Sequence, residues 1–471
     1  MKRIKICSLL LINVLFSWHS FAQEATKMLS AEEVLSVVKN FHPVVRQSNI
    51  SIEKSRTDIT NARAAFDPVF NTYIANKKFG GVAYYQDVSP EIKIPTWYGI
   101  DIYAGTDNWV GERVNPTVTK GESSYLGISV PLAKGLMIDK RRAALQQAKV
   151  MKQLVEVEQK NIINDLSMDA MEAYWLWVKA YQVYKVIQEN VEVNQKRVEL
   201  IRRSFALGER PSIDTTEALT QLQSFEIQQN AAWLDFQNTG LQLSAFLWTE
   251  AGTPYNLPES VIPSKAWDDI QVISNANLVL PNLLSVAETS HPSLQVYTYK
   301  LNSLQIDRKL KFQDLLPKID FSYNQLSKGY NMFYSFGDQP LFKDNFQYGL
   351  KVEIPLRFSE GRANFAKAKL KIEETQLDLV QKRVAIQLKV KKYFNEFSNL
   401  KSQIGLQSRS VTNYEQLVKA EEVRFQNGES SLFLINSRES KALEATQKLI
   451  ELKTKYYKSI YALQWSAGLL Q

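Results

Sequence analysis

Hydrophobic residues recur at helical spacing over two unusually long stretches of the chain. Neither stretch, from about Arg142 to Leu207 or from about Arg362 to Gln426, contains proline, and Gly405 is their only glycine. Because an α-helix rises 1.5 Å per residue, roughly 65 residues span about 100 Å. The pattern predicts two helices that are each several times longer than a small domain is wide.

Each long helix carries an apolar seam of the coiled-coil type. Spacings of three, four and seven residues separate the seam positions, and one position, Gln407, is polar. The seam residues are Phe397, Leu400, Ile404, Val411, Tyr414 and Val418 in the second stretch, and Tyr174, Trp177, Tyr181, Tyr184, Val191 and Val198 in the first. We expect these aromatic side chains to pack between helices and not to form a ligand site.

Both long helices are interrupted by glycine. A helical pattern resumes shortly after each glycine, at Ile213 and at Leu432. Glycine favours the left-handed conformation that ends many helices. The pattern therefore predicts two long antiparallel hairpins with the tip sequence Phe-x-x-Gly-Glu. The tip residues are Phe205, Gly208 and Glu209 in the first hairpin, and Phe425, Gly428 and Glu429 in the second.

The hairpins belong to a unit that occurs twice in the chain. A histidine followed by proline occurs at His42 and again at His291, an offset of 291 − 42 = 249. The same offset relates Pro68 to Pro317, and an offset of 220 relates the two hairpin tips. Constant offsets over such lengths indicate an internal duplication. Each histidine is expected to cap the helix that its proline opens, because proline is tolerated in the first turn of a helix.

The duplication predicts how the chain is organised. Residues 1–22 form a signal peptide, and residues 23–250 form a first repeat that contains a helix, strands and a long helical hairpin. Residues 251–285 form an irregular connection, and residues 286–471 repeat the unit.

Strands are expected between paired prolines that mark the strand–helix junctions. These are Pro68 and Pro131 in the first repeat and Pro317 and Pro355 in the second. In the second repeat, polar residues alternate with the apolar residues Phe346, Tyr348, Leu350, Val352 and Ile354. Such alternation fits a membrane strand with lipid on one side and water on the other. A strand of a soluble sandwich alternates in the same way, but the signal peptide and the long helices favour the membrane.

The number of strands determines whether one chain can form a closed barrel. The first repeat has 131 − 68 = 63 residues between its prolines and the second has 355 − 317 = 38, a difference that we attribute to a surface loop. The segment from Pro95 to Trp109 is compatible with a further strand or with an ordered outer loop. Two strands per repeat give four per chain, which cannot close without leaving unpaired edges in hydrocarbon. The chain is therefore expected to oligomerise, as a dimer with eight strands or a trimer with twelve.

The N-terminus and the composition limit the possible functions. Three basic residues precede a short apolar stretch from Ile6 to Phe16, and Ala22 ends a small-residue cleavage motif, as in secretory signal peptides. Cleavage lowers the formal net charge from +8 to 8 − 3 = +5, which does not indicate nucleic-acid binding, and it removes Cys7, the only cysteine. After this segment, no stretch approaches the roughly 18 apolar residues of a transmembrane helix. No metal-ligand spacing, phosphate loop or nucleophile motif is present, so we expect no metal, no cofactor and no enzyme activity.

Taken together, the signal peptide, the duplicated unit, the proline junctions and the two Phe-x-x-Gly-Glu tips resemble the TolC-like outer-membrane efflux proteins. The resemblance covers essentially the whole mature chain. It implies a mixed α and β fold in which a homotrimer forms a twelve-stranded barrel in outer-membrane lipid and a coiled-coil α-barrel tunnel in the periplasm. It also implies passive conduction, with a periplasmic adaptor and an inner-membrane transporter as partners. The exported substrate and the class of pump are not encoded in these features.

The resemblance further implies an iris-like closure at the hairpin tips. Family members close this end with tyrosine, arginine and aspartate contacts. The candidate gate residues here are Arg210, Asp214, Glu217 and Phe425, and the tip residues of both hairpins are candidates for adaptor docking. The second tip offers Ser430, Leu434 and Ser437 where arginine and acids are expected, so an acidic constriction would come from the first hairpin or closure would be mainly hydrophobic. The alternative function is a non-conducting envelope scaffold or adhesin, which would explain the helices but not the alternating strands.

Overall fold

Each repeat consists of two short helices, a set of strands and a long helical hairpin. The computed structural model describes residues 27–264, 267, 278–330 and 341–471, so the expected signal peptide lies outside the described residues. The first repeat contains β1 (Met28–Leu29), α1 (Ala31–Phe41), α2 (Pro43–Ala64), β2 (Val69–Phe79), β3 (Val82–Pro95), β4 (Asp101–Val110), β5 (Gly121–Pro131), α3 (Lys140–Ala206) and α4 (Ser212–Ser244). After β6 (Ile262–Pro263), the second contains α5 (Leu280–Ser290), α6 (Pro292–Phe312), β7 (Lys318–Lys328), β8 (Phe346–Glu353), α7 (Ser359–Gln426) and α8 (Leu432–Ser466).

The mixed α and β fold is confirmed, and so is the role of the two histidines. His42 Nδ1 accepts a hydrogen bond from the Val44 backbone N–H at 3.3 Å, at the start of α2. His291 Nδ1 accepts one from Ser293 at 3.1 Å, at the start of α6. Each histidine thus satisfies a backbone donor that the first helical turn leaves unpaired.

The two long helices have the expected lengths. Helix α3 has 67 residues and α7 has 68. Helix α3 packs along α4, and α7 packs along α8, as two antiparallel hairpins. The apolar seams lie between the helices: Trp177 is 1% exposed, and Gln407, the polar seam position, donates from Nε2 to the Ala445 carbonyl at 2.9 Å. The expectation that the seam aromatics pack between helices is confirmed by their stacking on one another, as in the pair Trp177 and Phe236.

The largest core cluster lies at the middle of the helical part. There the apolar face of α1, including Val34 and Val38, covers Trp177 and its neighbours on α3, α4 and α8. The N-terminal strand β1 pairs in parallel with β6 from the connection between the repeats. Trp267 from the same connection is part of the cluster, and its carbonyl accepts a hydrogen bond from the Tyr457 hydroxyl at 2.8 Å. The N-terminus and the connection therefore wrap the helices at this level.

The strands form one antiparallel sheet in the order β2-β3-β4-β5-β7-β8. The expectation of two strands per repeat is wrong for the first repeat, which supplies four. The longer spacing between its prolines is not a surface loop, because those residues form β3 and β4, which pair with β2 and β5 along most of their length. The segment from Pro95 to Trp109 is neither an outer loop nor wholly a strand. Residues 96–100 form a turn, and β4 follows from Asp101.

Among the residues that the structure describes, no helix combines the length and the apolar character needed to cross a bilayer.

Candidate functional site

The sheet has two chemically different faces. Pairing places Phe70, Ile92, Ala104 and Leu126 side by side across β2 to β5, and Ile128 opposite Tyr323 on β7. The same face carries further apolar side chains on each strand, among them Ile74, Ile94, Ile102, Val130, Phe321, Leu350 and Val352. Many of these residues are exposed in the isolated chain, and Leu350 is 57% exposed. Because successive side chains of a strand point to opposite faces, the other face is built from the alternate residues.

The opposite face of the sheet is polar. It carries the charged residues Asp87, Glu91, Lys93, Asp101, Asp107, Asp320, Lys351 and Glu353. These groups pair with one another: Lys93 contacts Asp101 at 3.0 Å, and Arg141 of α3 contacts Asp101 at 2.8 Å. An apolar face opposite a charged face suits a wall between hydrocarbon and water.

Both edges of the sheet are unpaired within the described part of the chain. Strand β2 pairs only with β3, and strand β8 pairs only with β7, among the residues that the structure describes. The order is antiparallel throughout, so the two edge strands run in opposite directions. They can therefore pair with each other between neighbouring copies of the chain without a change of direction.

The four junction prolines lie at the ends of strands. Pro68 directly precedes β2, and Pro317 directly precedes β7. Pro131 is the last residue of β5, and Pro355 follows β8 by two residues. Proline lacks a backbone N–H and is therefore suited to positions where a ladder of hydrogen bonds begins or ends.

The two hairpin tips have the same backbone geometry. In the first, the N–H of Gly208 donates to Phe205 and the N–H of Glu209 donates to Ser204, both at 2.9 Å. In the second, Gly428 donates to Phe425 and Glu429 to Arg424. This is the Schellman arrangement, which requires a left-handed residue, and Gly208 and Gly428 have φ values of 76° and 78°. The glycines are thus required by the turn itself.

Three of the expected gate residues, Arg210, Asp214 and Phe425, lie close together between the tips. The Arg210 guanidinium lies 3.7 Å from the centroid of the Phe425 ring and donates to the Phe425 carbonyl at 3.1 Å. Arg210 also contacts Asp214 at 3.6 Å. Phe425 is buried, whereas its repeat equivalent Phe205 is exposed. The first tip therefore contacts the second through one arginine that binds a ring and a backbone carbonyl.

Glu217 lies apart from this contact. Its carboxylate accepts a hydrogen bond from the Asn436 side chain at 3.3 Å, which joins α4 to α8. Asp214 and Glu217 are half-buried, whereas Gly208, Glu209, Gly428 and Glu429 are exposed at the end of the helical part. The predicted gate and docking residues thus occupy different positions: the former lie between the hairpins, and most of the latter lie at the tip surface.

A buried ion-pair network, which was not predicted from the sequence, joins the hairpins close to the tips. Arg197 of α3 contacts Glu439 of α8 at 2.5 Å and Glu422 of α7 at 3.1 Å. The Asn194 side chain also donates to Glu439, at 3.4 Å. The side chains of Arg197 and Glu439 are 11% and 6% exposed. Nothing local marks these residues, because the partners lie on separate helices and more than 200 positions apart.

The network borders a cleft of about 770 Å³ between the hairpins. Arg197, Arg210, Phe425 and Gly428 line it, with Glu209 and Glu422. Two of the four expected gate residues, Arg210 and Phe425, thus lie in one cleft with tip residues of both hairpins and with the ion-pair network. No group of acidic, histidine or cysteine side chains in the described part of the chain is arranged to hold a metal ion.

Known proteins are similar to this chain in the sequence of the second repeat and in the overall fold. Residues 283–469 match the family model described as outer membrane efflux protein. No protein of curated function matches the sequence. The chain is similar in structure to the outer membrane protein VceC of Vibrio cholerae, with 15% identity, a TM-score of 0.62, and coverage of 93% of this chain and 96% of that one.

Two further solved structures show the same fold. The CmeC outer membrane channel of Campylobacter jejuni has 15% identity, a TM-score of 0.60, and coverage of 93% of this chain and 85% of that one. The MtrE outer membrane channel of Neisseria gonorrhoeae, solved in its open state, has 12% identity, a TM-score of 0.62, and coverage of 94% and 89%. At these identities the similarity defines the fold, which extends over nearly the whole chain.

Proposed function

We propose that this protein is the outer-membrane channel of a tripartite efflux or type I-like secretion system, because residues 283–469 match the outer membrane efflux protein family model and nearly the whole chain has a TolC-like fold. The chain is an outer-membrane protein with a long periplasmic helical part. The family is one of channel proteins, and a channel of this kind carries out no catalytic step.

The observation that carries the proposal is the two-faced sheet with free edges. A single chain placed in hydrocarbon would leave the N–H and C=O groups of β2 and β8 unpaired, at a cost of several kcal/mol for each group. Pairing β2 of one copy with β8 of the next removes this cost and closes a barrel with the apolar face toward lipid. We propose that three copies assemble in this way, as in the family that the sequence resembles, with the charged face toward a water-filled lumen.

The hairpins supply the second part of the conduit. In the assembly, α3, α4, α7 and α8 of each copy surround a periplasmic tunnel that continues the barrel. The tip residues at Gly208 and Gly428 are exposed at its far end, where they are positioned to dock a periplasmic adaptor that is bound to an inner-membrane transporter. Movement through such a duct is passive, since energy enters only at the transporter.

The contacts between the hairpins suggest how the far end is closed. We propose that Arg210 on Phe425, together with the Arg197 network, holds the two hairpins of one copy against each other in the closed state. Asp214 and Glu217 are the acids of the first hairpin that would face the constriction. Separation of the hairpins breaks these contacts and widens the opening.

The function is tested with the protein extracted from membranes. We expect an oligomer whose migration on a gel changes on heating, and discrete single-channel currents after insertion into a planar bilayer. A non-conducting scaffold or adhesin would give neither a heat-modifiable oligomer nor currents. A soluble monomer without conductance would contradict the proposal.

A further inference from the structure

One face of the hairpin β3–β4 carries no charged residue, and the half of this face nearest the helices is apolar. On the apolar face, Val88, Pro90, Ile92 and Ile94 of β3 are followed across the sheet by Ile102 and Ala104 of β4. Register places Ile102 opposite Ile128 of β5, so the apolar band continues without a gap into the strands of the second repeat. A hairpin that projected into water above the membrane would have no reason to keep one face free of charge.

The other face of the same hairpin is part of the polar network. The Tyr125 hydroxyl of β5 reaches across β4 and donates to Glu91 of β3 at 2.8 Å. The Tyr125 ring lies over Gly105, where an added Cβ would approach it to 2.6 Å. Glycine at this point of β4 therefore allows the Tyr125 side chain of β5 to contact β3. This hydrogen bond links β3 and β4, the two strands that the second repeat lacks (called the added strands below), to the rest of the sheet.

The hairpin also extends down to the helical part of the chain. The turn between β3 and β4 stacks Trp97 on Phe66, which follows α2, with ring centroids 4.2 Å apart. Next to it, Asp101 contacts Arg141 in the first turn of α3 at 2.8 Å. The strands have 14 and 10 residues, enough to cross the hydrocarbon at the tilt of a barrel strand. The hairpin thus spans the same height as the strands beside it.

We propose that β3 and β4 are transmembrane strands that contact lipid acyl chains, so that each chain contributes six strands to the barrel. This inference rests on the proposed function. In a trimer the barrel then has eighteen strands, in place of the twelve that four strands per chain would give.

The added strands change the width of the conduit in the membrane. With a strand spacing of ~4.8 Å and a tilt of ~40°, the backbone radius is about 12 Å for twelve strands and about 18 Å for eighteen. The cross-section therefore rises by a factor of about two, since area scales with the square of the strand number. The helical part of the chain gains no helix from the insertion. Cargo that has passed the helical tunnel consequently meets a wider passage in the outer membrane.

Lipid contact is tested with single cysteines, because the chain contains no other cysteine once the expected signal peptide with Cys7 is removed. A small fluorophore is attached at Ile92→Cys or Ile102→Cys on the added hairpin. The matched controls are Leu350→Cys on the apolar face of β8 and Asn71→Cys on the polar face of β2. The labelled protein is placed in vesicles of phosphatidylcholine, and quenching by brominated acyl chains is compared with quenching by aqueous iodide.

We expect labels at positions 92 and 102 to be quenched by brominated lipid as strongly as the label at 350, while iodide quenches only the label at 71. Iodide quenching at 92 and 102, with lipid quenching kept at 350, would place the added hairpin outside the membrane and overturn the inference alone. Iodide quenching at 350 as well would contradict the proposed membrane sheet, and the inference with it.

The strand number is measured on the unmodified protein, so the test does not depend on the folding of a variant. Electron microscopy of the oligomer in lipid nanodiscs should show a barrel with a backbone diameter of about 36 Å. A diameter of about 24 Å, the value for twelve strands, would overturn the inference while leaving the channel itself in place.

Discussion

Replacing Arg197 by alanine is expected to loosen the contact between the two hairpins near their tips. Arg197 is the only arginine or lysine that the structure pairs with Glu439 among the described residues, and both side chains are largely buried. The substitution leaves the Glu439 carboxylate in a buried site without its cation. The closed arrangement therefore loses stability, whereas an arrangement with separated hairpins lets water reach the carboxylate.

The size of the effect follows from the burial of the pair. Removing one partner of a buried ion pair costs about 3–5 kcal/mol, because the remaining charge is desolvated and uncompensated. Even about 3 kcal/mol changes the ratio of closed to open hairpins by roughly a hundredfold. Arg203, on the same helix, gives a matched control, since its pair with Glu199 is exposed at 74% and 65%. An exposed pair of this kind contributes at most about 1 kcal/mol.

The assay is single-channel recording of the wild type, Arg197→Ala and Arg203→Ala under the same salt and voltage. We expect a large rise in open probability for Arg197→Ala and little change for Arg203→Ala. The double variant Arg197→Ala with Glu439→Gln should recover part of the closed population, because no unpaired charge then remains at the buried position 439, whereas Glu422 is 39% exposed and can be solvated. An open probability in Arg197→Ala equal to that of Arg203→Ala would refute the assignment of this network to closure.

Three further predictions concern the tips and the base of the second repeat. Replacing Asp214 and Glu217 by alanine should change the conductance or its block by divalent cations; unchanged recordings would mean that these acids do not line the constriction. Bulky substitutions at Gly208 or Gly428 should abolish co-purification of the periplasmic adaptor while the oligomer still assembles, and loss of assembly instead would give these glycines a purely structural role. Burial lowers the pKa of His291 from 6.5 to about 4, so the neutral form stabilises the fold above pH 6.5 and this contribution is lost as the pH falls toward 4. Thermal unfolding at stepwise pH should show the loss, and the variant His291→Asn, which keeps a capping side chain, should show a weaker pH dependence.

The helical part of the fold could be predicted because its determinants are local. Long stretches without proline, seam residues at heptad spacing and a glycine at each tip act over one to a few turns of helix. The duplication then supplied an independent copy of each signal. The ends of α3 and α7 consequently differ from the expected ends by at most three residues.

The number of strands was underestimated for a physical reason. Pro90 lies in the middle of β3, and proline usually argues against an interior strand position because it lacks a backbone donor. The signal was nevertheless present, since Val88, Pro90, Ile92 and Ile94 alternate with polar residues. A comparison of the two repeats favoured a loop, because the second repeat has nothing equivalent to this hairpin.

The residues of the candidate gate could be predicted in part from the sequence, but the contacts between them could not. The tip glycines and Arg210 were found because they belong to a repeated motif or lie beside one. The contact of Arg210 with Phe425 and the Arg197 network depend on how two separate hairpins pack, which no local pattern encodes. In the sequence, the network residues do not differ from other charged residues of a coiled coil. They are buried only because the two hairpins pack against each other.

The nearly equal lengths of α3 and α7 have a consequence for how the channel meets its partners. Both helices start within ten residues of a strand end and run for 67 and 68 residues, so both tips reach the same depth, about 100 Å from the sheet. In a trimer the six tips then lie in one plane, which presents a flat rim to an adaptor. One additional helical turn in α3 alone would displace three of the six tips by about 5.4 Å and make the rim uneven. The two helices therefore set the depth of the rim together, and we expect a change in the length of one to require the same change in the other.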